Sequence, residues 1–405
     1  MSATLICGIS QLVTNDLTMG TGRLGVIPDA HVVVSEGVIQ EIGRGARLPA
    51  ADYRIDLRGR CLIPGFVDSH THVVFAGERS SEFAARMCGQ PYTGGGIQKT
   101  VAATRSASTE ELRRHTALLV EEARCQGTTT VEIKSGYGLD IENELRMLQI
   151  AHEFTPEVTF LGAHVVPSEY AGRADDYVDL VCGEMMDHCA PLAKWVDVFC
   201  EPRADGAFDA DQTRCVLAAG SKHGLIGRVH AAQLGPGPGA RVAVECGAAS
   251  IDHATYLTDD DIDVLKAAGE KSPVVTFLPI VEYATRHPFP DARRVLDAGL
   301  TVALASDCNP GTCFSNSMSL AISLAVHQMG MSPEEALWAA TAGGAAALHR
   351  SDLGRIVRGG PADLAVVDAP NHLYLSYRTG VPLVRALSPA ELAGTHIVTE
   401  REGMQ

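Results

Sequence analysis

The middle of the chain, from residue 64 to residue 350, alternates short apolar runs rich in β-branched residues with longer segments of helical period. The apolar runs predict buried parallel strands, and the amphipathic segments predict the helices that cover them. Eight such units in succession predict an α/β fold, a closed (β/α)8 barrel of the TIM type. The predicted strands are residues 66–74, 128–134, 158–163, 195–200, 225–229, 249–251, 274–277 and 301–305.

Both ends of the chain have the pattern of short strands and turns instead. Residues 30–34 and 38–42 flank Ser35-Glu36-Gly37, which predicts a hairpin with glycine in a left-handed conformation. Neither end is long enough to bury a core of its own, so we expect the two ends to pair. The predicted organisation is a small β-sandwich domain from residues 1–63 and 351–405, beside a barrel of residues 64–350.

Composition narrows the class of protein. The 405-residue chain is 46% hydrophobic and 20% charged, as is typical of a globular protein. Its net charge of −16 would repel nucleic acid and anionic membranes, so we expect partners of neither kind. The 11 cysteines form no Cys-x-x-Cys pair, and we find neither a signal-peptide pattern nor an apolar run of membrane-span length. These features predict a cytoplasmic protein.

The candidate chemistry lies at the ends of the predicted strands. His70 and His72 are two residues apart on the first strand, so their side chains face the same way. Roughly 0.6 His-x-His pairs are expected by chance in a chain of this histidine content, so the pair alone is weak evidence. His230, His253 and Asp307 fall at the ends of strands five, six and eight, which open at one mouth of a barrel. Together the five residues predict a metal site.

This arrangement resembles the amidohydrolase superfamily. Five further stretches are similar to one of its families, the imidazolonepropionases, which carry out the third step of histidine degradation. These stretches are residues 74–79, 82–87, 134–139, 162–164 and 306–311. The resemblance implies hydrolysis of the ring amide C–N bond of 4-imidazolone-5-propanoate to N-formimino-L-glutamate by a metal-activated water.

The resemblance also implies that one zinc or iron ion per chain is held by four ligands, namely His70, His72, His230 and Asp307. Three imidazoles and a carboxylate suit zinc, and iron remains an alternative. Many relatives in the superfamily bridge two metals with a carboxylated lysine at the end of strand four. Here that strand ends Phe199-Cys200-Glu201, which favours a single ion.

The same resemblance assigns roles around the metal. His253 and Asp307 are the candidates for proton transfer and oxyanion stabilisation. Gln233 stands where related deaminases carry glutamate, and an amide can orient the substrate but cannot titrate. Arg79 is expected to pair with the propanoate. The remaining candidate substrate contacts are Tyr137 and His164 to the ring and side chain, and Asn309, Gly311 and Thr312 to the second carboxylate.

Two other functions stay open. One is a different cyclic amide or amidine hydrolase of the superfamily, such as a deaminase of a nucleobase or a triazine, which would release ammonia. The other is a non-catalytic scaffold on the same barrel, which the presence of all four ligands and His253 disfavours. The expected partner is the small-molecule substrate, and relatives in the superfamily are often dimers, so we expect a homodimer.

Overall fold

A computed structural model of the chain describes residues 2–89 and 96–394. In chain order its strands are β1 (Ala3–Val13), β2 (Val26–Ser35), β3 (Val38–Arg44), β4 (Tyr53–Pro64), β5 (Phe66–Asp68), β6 (Thr128–Val131), β7 (Ile133–Lys134), β8 (Val158–Ala163), β9 (Trp195–Cys200), β10 (Ile226–Ala231), β11 (Ser250–His253), β12 (Val274–Phe277), β13 (Val302–Leu304), β14 (Leu364–Val367) and β15 (Val384–Ala386).

The helices lie mostly between the strands of the middle region. They are α1 (Ser80–Met87), α2 (Ile97–Ser106), α3 (Thr109–Cys125), α4 (Ile141–His152), α5 (Ala174–Leu180), α6 (Met186–Cys189), α7 (Ala210–Lys222), α8 (Gly239–Cys246), α9 (Asp259–Ala267), α10 (Pro279–Thr285), α11 (Ala292–Asp297), α12 (Met318–Gln328), α13 (Pro333–Trp338), α14 (Gly344–Ala347), α15 (Tyr374–Tyr377) and α16 (Pro389–Leu392). Within the described ranges, none is long and apolar enough to cross a bilayer.

The middle strands form a parallel barrel, which confirms the predicted fold class. β7 to β13 are hydrogen-bonded neighbours in sequence order, and β5 pairs with β6. β6 and β7 are the two halves of the second predicted strand, separated at Glu132. The barrel closes where Thr71 bridges Cys308 in parallel and the Ser306 amide donates to Asp68 Oδ1 at 3.0 Å.

The first barrel strand is shorter than its apolar run predicts. The ladder ends at Asp68, so His70 and His72 lie beyond β5 in an extended segment. Side-chain hydrogen bonds replace the ladder there, because the Thr71 amide and hydroxyl both donate to Glu132, at 3.1 and 2.7 Å. The His72 amide donates to the Cys308 carbonyl at 3.0 Å and continues the alternation of side chains. Both histidines therefore still face the barrel mouth.

The two ends of the chain share one six-stranded sheet of order β15-β14-β4-β1-β2-β3. β1 is parallel to β4 and antiparallel to β2, and β14 from the C-terminal segment pairs with β4. The predicted hairpin joins β2 to β3, with positive φ at both Glu36 and Gly37, as a tight turn of this kind requires. The sheet has a hydrophobic cluster of its own, although the domain limits at residues 63 and 350 stay predictions.

A group of fully buried charges interrupts the apolar interior of the barrel. The Lys134 Nζ lies 2.8 Å from Glu132 Oε1 and 2.9 Å from Asp197 Oδ2. An Arg228 Nη2 lies 3.0 Å from Asp252 Oδ2. Burying a charge costs folding free energy unless the charge is paired, so this network indicates that this part of the interior has a role beyond packing.

Candidate functional site

Four predicted ligands converge at the C-terminal ends of the barrel strands. The Nε2 atom of His72 lies 3.2 Å from that of His70 and 3.4 Å from that of His230. The Oδ1 atom of Asp307 lies 3.3 Å from His72 Nε2 and 3.6 Å from His70 Nε2. A tetrahedral metal with bonds of about 2.0–2.1 Å separates its ligand atoms by about 3.3 Å. These four separations are therefore close to those expected between the ligands of a single ion.

Two buried carboxylates determine which nitrogen of each histidine faces the cluster. His70 Nδ1 lies 2.8 Å from Asp252 Oδ2, and His230 Nδ1 lies 3.0 Å from Asp197 Oδ1. A carboxylate accepts only, so each Nδ1–H donates and each Nε2 presents a lone pair to the centre.

Too few N–H groups face the cluster to donate a hydrogen bond to each of its acceptor atoms. One N–H on His72 can serve only one neighbouring Nε2, and Asp307 Oδ1 has no hydrogen-bond donor among the described residues. A cluster of acceptors without enough donors fits a bound cation, and His70, His72, His230 and Asp307 are the residues that would hold it.

The protonation states suit metal binding as well. Burial, together with Lys134 and the other imidazoles, keeps the pKa of His70 well below its ordinary value, and burial does the same for His72. Burial alone would raise the pKa of Asp197, but His230 and Lys134 hold it well below its usual range. His70 and His72 are therefore neutral and the supporting Asp197 carboxylate is ionised at neutral pH, which are the forms that a metal site needs.

His253 lies beside the cluster. Its Nε2 is 4.0 Å from Asp307 Oδ2, and one of its ring nitrogens lies within 4.8 Å of nitrogens of His70 and His230. Burial lowers the pKa of His253 to about 3, so the ring is neutral at pH 7. A neutral imidazole there can accept a proton from one neighbour and offer a hydrogen bond to another.

A cavity of about 620 Å³, counting the part open to solvent, lies over this group. It brings together every predicted site residue except His70, which is fully buried, and Gly311. An added Cβ at Gly311 would lie 2.2 Å from Arg79 Nη1, so this glycine packs directly against the arginine. The predicted residues that line the cavity are His72, Arg79, Tyr137, His164, His230, Gln233, His253, Asp307, Asn309 and Thr312.

One wall of the cavity is a loop held by a carboxylate that the sequence analysis missed. The fully buried Glu144 on α4 accepts hydrogen bonds from the amides of Gly136, Gly138 and Leu139, the last two at 2.8 Å. These bonds fix the loop that carries Tyr137. The Gly136 carbonyl lies 2.8 Å from His164 Nδ1, so that nitrogen donates and the Nε2 of His164 is an acceptor.

The opposite wall, after β13, is an internally bonded turn. The Asn309 Oδ1 accepts from the amides of Gly311 and Thr312, both at 2.8 Å. Its Nδ2 donates to the Asp307 carbonyl at 2.6 Å and to the Thr312 hydroxyl at 2.8 Å. These groups are thus engaged with one another here, and their contact with a substrate carboxylate stays a prediction.

Gln233 lines the cavity on the loop that follows β10, and it is 9% exposed. The next amide, of Leu234, donates to Glu201 Oε2 at 2.9 Å. Glu201 comes directly after β9, where a bridging lysine would stand in a two-metal relative. At this strand end, the carboxylate supports the Gln233 loop instead.

Several strand ends at the site leave regular geometry. Ala232, His253, Ala254 and Asp307 all have positive φ, from 52° to 76°. Residues other than glycine adopt this conformation at some energetic cost, and such residues cluster at functional sites. The turns direct His253 and Asp307 toward one another above the barrel.

Glu282 on α10 is a further buried carboxyl near the site, and it supports a prediction about stability. It is 2% exposed, its Oε1 accepts from Thr255 Oγ1 at 2.5 Å, and burial raises the pKa of Glu282 to about 8. The pKa of Glu282 is higher in the folded state than in the unfolded state. The protonated carboxyl therefore contributes folding stability that is complete below about pH 4 and is lost as the pH rises through about 8.

We therefore expect Glu282→Gln, which cannot ionise, to gain stability over the parent between pH 5 and pH 8, by up to about 1.4 kcal/mol per pH unit. Urea unfolding at the two pH values measures this gain. A difference in unfolding free energy that is the same at both values would contradict it.

Comparison with known proteins identifies the family. The model of the amidohydrolase family matches residues 61–395. An imidazolonepropionase of Salinispora tropica is 58% identical over 385 residues, which are 95% of this chain and 97% of the relative. An imidazolonepropionase of Mycolicibacterium smegmatis is 58% identical over 387 residues, 96% of each chain. The chain belongs to the imidazolonepropionase family. Membership of the amidohydrolases makes it a metal-dependent hydrolase.

Solved structures agree on the fold at much lower identity. Atrazine chlorohydrolase from Arthrobacter aurescens, complexed with zinc, matches with a TM-score of 0.67 and 18% identity, over 95% of this chain and 92% of that one. An adenosine deaminase from Xanthomonas campestris with bound zinc matches with a TM-score of 0.67 and 20% identity, over 96% of each chain. At this distance the likeness supports the barrel and its small sheet, whereas the family assignment rests on the imidazolonepropionases.

Sequence reasoning missed the residues that support the ligands. Asp197 is a single acid in an otherwise apolar strand, and Asp252 directly precedes His253. An isolated charge in a buried strand was a usable signal, because a fully buried carboxylate needs a partner. Glu144 gave no such signal, since it lies in a helix with a second acid, Glu142, and with Asp140 and Glu153 at the two caps.

Proposed function

We propose that this imidazolonepropionase-family protein hydrolyses 4-imidazolone-5-propanoate to N-formimino-L-glutamate, the third step of histidine degradation. The observation that carries the proposal is that His70, His72, His230 and Asp307 lie together beside a cavity that a buried arginine also lines. The cluster suits attack on a ring amide, and the arginine suits a substrate that carries a carboxylate. The relatives of Salinispora tropica and Mycolicibacterium smegmatis are imidazolonepropionases, which supports the same activity.

We propose that the cluster holds one zinc or iron ion per chain. The spacing of the four ligand atoms supports one ion. The residues around it do not favour a second, because Glu201 follows β9 and Lys134 is engaged in ion pairs inside the barrel. When bound, such an ion would polarise the ring carbonyl and lower the pKa of a water molecule.

The side chains of the protein supply the proton transfers. Hydrolysis gives OH to the ring carbonyl carbon and a proton to the departing ring nitrogen, as the C–N bond between them breaks. Asp307 can accept the proton of the attacking water through its carboxylate, and His253 stands 4.0 Å away, within reach of a shared water. We assign to this pair the transfer of the proton, and to His253 a hydrogen bond to the oxyanion.

Other residues orient the ring. His164 presents Nε2 as an acceptor because its Nδ1 donates to Gly136, so it suits a ring N–H of the substrate. Tyr137, whose ring centroid lies 5.3 Å from that of His164, supplies an apolar face beside it. Gln233 can hydrogen-bond the substrate through its amide but cannot carry the proton.

We expect Arg79→Met to lower kcat/KM for 4-imidazolone-5-propanoate by about 10- to 10³-fold, with metal content unchanged. A buried carboxylate without a cation is costly, so the loss should depend on the propanoate. An imidazolone with methyl in place of propanoate should be a poor substrate of the parent, and the mutation should barely change its rate. An equal loss on both substrates would make Arg79 a structural residue.

The decisive experiment is incubation with freshly made 4-imidazolone-5-propanoate, followed by loss of its ultraviolet absorbance and by assay of N-formimino-L-glutamate. Ammonia release from a nucleobase or triazine, without turnover of the imidazolone, would favour a deaminase instead. Gln233 already weakens that alternative, because related deaminases use a glutamate at this place to move the proton. Homodimer formation and a cytoplasmic location stay predictions, as does the absence of nucleic-acid and membrane partners.

A further inference from the structure

Helix α1 contacts two groups at the cavity, the Arg79 side chain and the turn that carries Gly311. On one side, Glu82 accepts two hydrogen bonds from Arg79, with Nε at 2.9 Å and Nη2 at 2.6 Å. On the other side, Arg86 donates from both terminal nitrogens to the Gly311 carbonyl, each at 3.2 Å. Glu82 and Arg86 are four residues apart and therefore lie on the same face of the helix.

The guanidinium of Arg79 lies between two glycines. A Cβ on Gly311 would lie 2.2 Å from Nη1, and a Cβ on Gly96 would lie 2.2 Å from Nη2 and 2.0 Å from Glu82 Oε2. Gly96 has a φ of −68°, which any residue adopts, so its backbone does not demand glycine. Glycine is required at position 96 because a side chain there would collide with the ion pair of Arg79 and Glu82.

Because Nε and Nη2 of Arg79 both donate to Glu82, that carboxylate constrains the orientation of the guanidinium plane. A bidentate pair fixes a planar cation far better than a single hydrogen bond does. The pair is largely sheltered, since the side chains of Arg79 and Glu82 are 5% and 27% exposed. An arginine side chain held in this way before binding has less rotamer freedom left to lose when the substrate binds.

We propose that Glu82 is a positioning residue for the substrate carboxylate, acting through Arg79. It holds the guanidinium plane on the cavity wall before the substrate arrives, and α1 fixes that plane relative to the Gly311 turn through Arg86. Gly96 contributes to this positioning, because the absence of a side chain there leaves room for the pair of Arg79 and Glu82. The inference rests on the proposed function.

The test compares Glu82→Gln and Gly96→Ala with the parent enzyme on 4-imidazolone-5-propanoate. Both variants should raise KM by about tenfold, with kcat and metal content nearly unchanged. The alanine removes no charge, but its methyl group must displace the side-chain ends of Arg79 and Glu82. Rates on the methyl-substituted imidazolone should not change in either variant.

A double-mutant cycle separates positioning from a general structural role. In an Arg79→Met background, adding Glu82→Gln should have no further effect, because the two substitutions remove one interaction. Additive losses would overturn the inference. Glu121→Gln on α3 is the matched control, since it breaks a bidentate pair of the same i,i+3 geometry with Arg124, at 2.8 and 2.7 Å, on the exposed surface.

The outcomes are distinguishable. If the parent is active and Glu82→Gln has an unchanged or lower KM, the inference is overturned but the proposed function is not. A lower KM would show that Glu82 competes with the substrate for Arg79. A parent without turnover of 4-imidazolone-5-propanoate would overturn the proposed function and this inference together.

Discussion

Replacing Asp307 by alanine should abolish metal binding and lower turnover by about 10⁴-fold or more. The substitution removes the single carboxylate of the cluster, whose Oδ1 lies 3.3 Å from His72 Nε2. Metal chemistry accounts for several kcal/mol of transition-state stabilisation, which corresponds to a loss of this size. The measurement is elemental analysis of purified protein beside the initial rate on 4-imidazolone-5-propanoate.

The parent should contain about one zinc or iron ion per chain, and His70→Ala should behave like Asp307→Ala. Asp368→Ala is the matched control, because it removes an exposed aspartate of the small sheet that pairs with Arg60 at 2.7 Å. Two tightly bound metals in each parent chain would refute the mononuclear proposal. Full activity in Asp307→Ala would refute the assignment of the ligands.

The second large effect is expected at His253. We expect His253→Ala to lower kcat by about 10²-fold or more while the metal stays bound. The Nε2 of His253 lies 4.0 Å from Asp307 Oδ2, a longer separation than the 3.2 to 3.6 Å between the proposed ligand atoms, so its loss should affect chemistry more than metal affinity. Steady-state kinetics and elemental analysis on the same preparation separate the two effects.

His223→Ala is the control for the loss of a histidine beside an aspartate, because its Nε2 lies 3.3 Å from Asp187 Oδ1 and it caps the end of α7, away from the barrel mouth. It should leave kcat unchanged. Gln233→Ala should act mainly on KM, because an amide cannot carry the proton. Near-normal kcat in fully metallated His253→Ala would show that the proton follows another route.

Features that depend on local pattern could be predicted from the sequence. The barrel strands follow from apolar β-branched runs, and the hairpin at Glu36 and Gly37 follows from its turn residues. The convergence of His70, His230 and Asp307 followed from a property of the fold, because barrel strands end at a common face. No contact between these residues had to be known in advance.

Contacts between distant segments could not be predicted in this way. The first strand ends early because Glu132 takes over the hydrogen bonds of Thr71, and such a substitution leaves no trace in hydrophobic period. The same holds for Asp197 and Asp252, which select the histidine nitrogen that faces the cluster. The role of Glu82 depends on a bidentate geometry that spacing along the chain does not reveal.

The point of barrel closure, where Thr71 bridges Cys308, gives the proposed ion a role in stability. The amide of Ser306 and the carboxylate of Asp68 meet there although they are 238 residues apart in the chain. An ion held by His70, His72 and Asp307 would cross-link the same two segments, and it would do so only in the folded chain. Closing so long a loop costs conformational entropy, which coordination offsets through its own binding free energy. The ion would therefore stabilise the closed barrel in addition to taking part in the reaction.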